Sequence, residues 1–61
     1  MKQVVQKVDY YDDLYKAYEE MNYFIKQGWR IHACTMETYT AGYSVYAKVL
    51  VVYEKEVEKN G

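Results

Sequence analysis

Tyr43-Ser44-Val45-Tyr46-Ala47-Lys48-Val49-Leu50-Val51-Val52-Tyr53 decides the fold of this 61-residue chain. Side chains of a strand alternate between two faces, so Tyr43, Val45, Ala47, Val49, Val51 and Tyr53 point one way, and Tyr46, Leu50 and Val52, interrupted by Ser44 and Lys48, point the other. Both sets are largely apolar. The rest of the chain supplies a single helix-sized segment, which can cover one face only, and a second molecule is expected on the other.

Working outward, Gln3 to Val8 reads as a first strand. Asp9 or Asp12 can cap a helix, with Asp12 and Asp13 in a first turn where the macrodipole favours negative charge. The helix is expected to run to about Gln27, where Gly28 supplies a left-handed residue that ends it. Trp29 to Thr38 is a second strand, Tyr39 to Gly42 a connection, and the third strand ends near Tyr53 or Glu54. The pattern predicts an α+β domain of β-α-β-β order, one helix on a small three-stranded sheet, over residues 1–54. Residues 55–61 read as a charged tail that frays into solvent.

Helical periodicity places Leu14, Ala17, Tyr18, Met21 and Ile25 on one stripe facing the sheet, with Phe24 and Tyr11 at its edges. Tyr23 falls almost opposite, with Tyr15 on the flank, and Glu19 among the acidic residues that would rim a patch there. Alternation along the second strand sorts Trp29, Ile31, Ala33 and Thr35 from Arg30, His32, Cys34 and Met36. With the first row under the helix, the second joins the open face, so Met36, Tyr46, Leu50 and Val52 are the expected dimer interface. A single β-bulge would swap the two rows.

Composition narrows the function classes. Formal net charge is -1, with no basic field to gather phosphates, so nucleic-acid binding is disfavoured. Cys34 is the single cysteine; it closes no internal disulfide, and no set of ligands for a structural zinc exists. A reducing cytoplasmic setting is expected. No stretch reads as a signal peptide or a membrane span. Nine tyrosines supply broad contact area with a polar tip, as recognition surfaces do.

Chemistry-bearing constellations are few. His32 and Cys34, two apart, would share a strand face, and two chains could pool them around a zinc; the plainer reading is a small hydrophobe beside a polar rim residue. No group orients His32 as a base for Cys34. No glycine loop cradles a phosphate. Neither catalysis nor a cofactor is expected.

Phe24-Ile25-Lys26-Gln27-Gly28-Trp29-Arg30-Ile31, together with Val4-Val5, Asp13-Leu14 and Val51-Val52-Tyr53-Glu54-Lys55, resembles a pattern in uncharacterised short proteins of bacteria and their phages. The resemblance covers nearly the whole chain and implies a β-α-β-β domain of unknown function, with dimerisation as an expectation and no catalytic residue to carry over. The chain departs from it in its tyrosine load and in Arg30, where an acidic residue often follows the tryptophan. Size and setting also resemble small phage proteins that neutralise a host or antiviral enzyme by binding it, which would place the chain in the host cytoplasm. The leading expectation is a homodimeric protein-binding module whose partner contacts are Tyr15, Glu19, Tyr23, Tyr39 and Tyr43. The alternative is a nucleotide-sequestering protein, with aromatic rings at the dimer seam stacking on a base and Arg30, His32 or Lys48 meeting its phosphates.

Overall fold

In a computed structural model, which describes residues 1–59, the chain forms β1 (Lys2–Tyr11), α1 (Leu14–Lys26), β2 (Arg30–Ala41) and β3 (Ser44–Glu58). The order is β-α-β-β, and the sheet is antiparallel throughout with strand order β1-β3-β2. The most apolar strand takes the centre, and the edges fall to strands with a larger share of polar side chains, which tolerate solvent along one side.

β3 is longer than either neighbour. β1 pairs with Val49 to Glu58, β2 pairs with Ser44 to Glu54, and three strands lie abreast only where these stretches overlap, from Val49 to Glu54. Beyond that block each end of the sheet is a two-stranded ribbon, which gives the molecule its 55 × 16 × 12 Å outline. The helix covers the block and nothing more. Tyr11, Ala17, Val49, Val51 and Tyr53 form the buried core, with Met21, Phe24, Trp29 and Ile31 packed against it.

β3 therefore runs past the end expected for it at Tyr53 or Glu54. Lys55 to Glu58 are paired strand residues, in register with Lys2 to Val5. Their charges are answered across the sheet: Glu56 lies 3.8 Å from Lys2, and Glu58 lies 3.3 Å from the N-terminal ammonium. The end of the expected tail, residues 60–61, lies outside the described residues.

Asp13, and neither Asp9 nor Asp12, caps the helix, its Oδ1 accepting the Lys16 amide at 3.1 Å. Asp9 is unavailable because β1 extends to Tyr11 and holds it opposite Val51, where it pairs with Lys7. No acidic residue remains in the first turn. The other end agrees with the sequence reading. Gly28 takes φ +96°, its amide donates to the Ile25 carbonyl at 3.1 Å, and the Trp29 amide donates to the Phe24 carbonyl at 3.0 Å. These two bonds satisfy carbonyls that the last turn leaves free, in the pattern of a Schellman motif. Lys55 seals the junction: its ammonium donates to the Gln27 carbonyl at 3.0 Å and lies 5.6 Å from the Trp29 ring centre.

The helix is rotated from the expected stripe. Ala17 is its one fully buried residue, flanked by the half-buried Glu20, Met21 and Phe24, while Leu14, Tyr18 and Ile25 are exposed. A small residue at the contact lets the helix backbone approach the sheet closely, and Phe24 anchors it toward β1, with the Lys7 ammonium 3.9 Å from the Phe24 ring centre. Past Ile31 the β2 side of that face is left open, with Cys34 and Met36 exposed.

The two rows of β2 are exchanged partway along. Ile31 pairs with Tyr53 and Ala33 with Val52, so His32 is an extra residue in a β-bulge. Before the bulge Ile31 faces the helix, as expected. After it Cys34 and Met36 face the helix side, opposite Val51 and Val49, while Ala33 and Thr35 join the open face. The placement of Met36 and Cys34 on the open face is thereby corrected.

Candidate interaction surfaces

The open face of the three-stranded block is built by register. Tyr10, Leu50 and Thr35 lie abreast, and so do Val8, Val52 and Ala33. Val8 is 60%, Tyr10 58% and Leu50 44% exposed, so adjacent apolar side chains on two strands share a surface that no element covers. Charged pairs bound it at both ends. At one end Arg30 faces Glu54, and at the other Glu37 faces Lys48. An apolar centre with a polar rim is the anatomy of an interface.

Glu54 is the hub of the first pair. Its carboxylate accepts from Gln6 Nε2 at 3.0 Å and from the Arg30 guanidinium, and His32 Nδ1 lies 3.2 Å away. The hydrogen bonds from Gln6 and Arg30 hold its carboxyl below the usual carboxylate range. The bulge creates this cluster, because it turns His32 toward Glu54.

Of the expected dimer-interface residues, Tyr46, Leu50 and Val52 occupy the open face and Met36 does not. Tyr46 stacks on Tyr39, ring centres 5.3 Å apart, with the Lys48 ammonium 5.1 Å from the Tyr39 ring centre. This stack lies on the two-stranded hairpin beyond the block. The hairpin turns on Gly42 and Tyr43, with Gly42 at φ +64° in the first turn position, where a type II′ turn calls for glycine. Tyr43 projects fully from the tip.

Tyr15, Glu19 and Tyr23 come together on the outer side of α1, around a shallow groove shared with Asp13, Lys16 and Glu20. Tyr15 is 82% and Tyr23 55% exposed. Tyr23 is held edge-on against Phe24, ring centres 5.1 Å apart. A second exposed apolar region lies where Leu14, which was expected to face the sheet, and Tyr15 meet Met36 and Val45.

Among the described residues the polar interior is confined to one spot. The Tyr11 and Tyr53 hydroxyls are 3.0 Å apart, and Tyr11 donates to Asp9 Oδ2 at 3.3 Å. Burial pushes both phenols above their ordinary range, so they are neutral donors and acceptors at physiological pH.

His32 and Cys34 lie on opposite faces across the bulge, so they form neither a ligand pair nor a nucleophile and base. Among the described residues no three His, Cys, Asp or Glu side chains gather as a metal site, and no helix is long and apolar enough to cross a membrane. Comparisons with protein-family models, curated proteins and solved structures found no match.

Proposed function

We propose that the chain is a non-catalytic binding protein that pairs with a second copy through its open sheet face and offers its tyrosine-bearing surfaces to another protein. The observation that carries this reading is the uncovered centre formed by Val8, Tyr10 and Leu50. Contiguous exposed apolar surface on a small domain marks an interaction site, and a domain of this size gains stability from association that its own core cannot supply.

Tyr15 and Tyr23, with Glu19 between them, form one contact for the other protein, and Tyr39, on the open-face side of the hairpin, and Tyr43, at its tip, form a second. Their acidic neighbours favour a partner with Lys or Arg. Blocking a host or antiviral enzyme by covering it is the mode of action that fits so small a binder. The Tyr39–Tyr46 stack favours a protein over a nucleotide, because each ring already uses one of its faces on the other.

Two measurements test the reading together. Native mass spectrometry of protein purified from its own cells is expected to show a dimer without bound nucleotide. An affinity pull-down with the wild-type chain is expected to retain a protein that the Tyr23→Ala variant loses. A monomer carrying a stoichiometric nucleotide would overturn it.

A further inference from the structure

Along β3 the open-face side chains of the block and of the position just before it run Lys48, Leu50, Val52, Glu54, with opposite charges at the two ends and apolar residues between. Reversing the strand about the point between Leu50 and Val52 sets Lys48 over Glu54 and Leu50 over Val52. We infer that two copies stack open face on open face with their β3 strands antiparallel and the two-fold axis crossing between Leu50 and Val52. This rests on the homodimer proposed above and adds its geometry.

The flanking strands obey the same rule. A two-fold axis running across the strands keeps β1 over β1 and β2 over β2 while reversing their direction. Tyr10, abreast of Leu50, then lies over the partner's Val8, which is abreast of Val52. On β2, Glu37, abreast of Lys48, lies over the partner's Arg30, which is abreast of Glu54. Each rim becomes a square of alternating charge: Arg30 and Glu54 of one protomer against Glu37 and Lys48 of the other. Stacked sheets sit about 10 Å apart, a gap that long Lys, Arg and Glu side chains span while the smaller apolar ones fill the middle.

Competing arrangements conflict with the charge pattern. A two-fold axis parallel to the strands places Lys48 over the partner's Lys48 and Glu54 over the partner's Glu54, like charges at both ends. Centring the antiparallel pair on Leu50 sets Lys48 over Val52; centring it on Val52 sets Leu50 over Glu54. Either shift places a charge against apolar surface without its counterpart.

The test uses two charge reversals on the full chain, with sedimentation at low micromolar concentration. Lys48→Glu alone opposes two glutamates to two glutamates, and Glu54→Lys alone opposes two lysines to two lysines. Each variant is expected to dimerise about tenfold or more weakly than the wild type. Mixed one to one, they form a heterodimer with both pairs complementary, and dimerisation is expected to return to within roughly threefold of wild type.

Because Glu54→Lys also removes the contacts with Gln6 and Arg30, a second measurement stands beside it. In a Cys34→Ser background, a Leu50→Cys chain is mixed with a Val52→Cys chain and treated with a short bifunctional thiol reagent. Cross-linking between unlike chains is expected to exceed that within either variant alone. A wild-type dimer whose reversal variants fail to rescue each other, with Leu50→Cys chains linking best to themselves, would overturn the register and leave the homodimer standing. A monomeric wild type would overturn both.

Discussion

Replacing Tyr11 or Tyr53 by phenylalanine removes one oxygen from the same hydroxyl pair, and the two losses are unequal. Tyr53 is 0% exposed and its hydroxyl has the Tyr11 hydroxyl, 3.0 Å away, as partner. Tyr11 has a second partner in Asp9. The hydrogens therefore run in a chain, Tyr53 donating to Tyr11 and Tyr11 to Asp9. Tyr53→Phe removes the head of that chain and one hydrogen bond, about 1 kcal/mol, while Tyr11 keeps Asp9. Tyr11→Phe strands the Tyr53 hydroxyl in the core, at about 1–3 kcal/mol. In the double variant no hydroxyl is stranded, so its loss should fall below the sum of the single losses by on the order of 1 kcal/mol. Urea unfolding at one fixed protein concentration reads all three, since the self-association proposed above would make the apparent stability depend on concentration. Equal losses, or a double variant that is strictly additive, would refute the directed chain.

The same pair sets an alkaline limit: both phenols are raised, so the fold binds protons that the unfolded chain releases above about pH 10, and stability should fall there by up to about 1.4 kcal/mol per pH unit per tyrosine, a slope the double phenylalanine variant flattens. Glu54 acts with the opposite sign; its carboxyl is lowered, so its contribution is present above the ordinary carboxylate range and lost as pH falls through and below it, and Glu54→Gln should flatten the acid limb of the melting profile. Gly28→Val places a β-branched residue at φ +96° and should cost about 1–3 kcal/mol in thermal unfolding, even though an added Cβ meets nothing nearer than Lys55 Cε at 3.5 Å. Tyr23→Ala should leave the melting temperature within a few degrees of wild type and weaken partner capture by about tenfold or more; unfolding would instead assign Tyr23 to holding Phe24 in place.

The β-α-β-β order was legible because its signals are local. Two-sided apolarity marks β3, Gly28 and Trp29 mark the helix end, and Gly42 marks the hairpin. Features that depend on distant residues were not. Lys55 to Glu58 read as a solvated tail because their answering charges stand on β1, at the other end of the chain. Ile31-His32-Ala33 contains no glycine or proline to announce a bulge, so strict alternation carried Cys34 and Met36 to the wrong face. The hub at Glu54 was missed for the same reason, since Gln6, Arg30 and His32 meet there only through strand pairing and the bulge. Helical periodicity correctly grouped Ala17, Met21 and Phe24. It could not fix the rotation, because the short Ala17 side chain governs how closely the helix approaches, and Leu14 and Tyr18 were turned outward. Tyr15, Glu19 and Tyr23 were legible as a group because helical spacing alone brings them together.

Self-association through the open face is most directly tested by the sedimentation mass of the wild-type chain beside that of Leu50→Asp, at low micromolar concentration, with circular dichroism on the same samples. The wild type should sediment at twice the 7.3 kDa chain mass. Leu50→Asp places a carboxylate at the centre of the seam and should sediment as a monomer, with its helix retained or melted. A wild type that sediments as one chain with full helicity and a cooperative melt, or a Leu50→Asp variant that remains as dimeric as the wild type, would contradict the account.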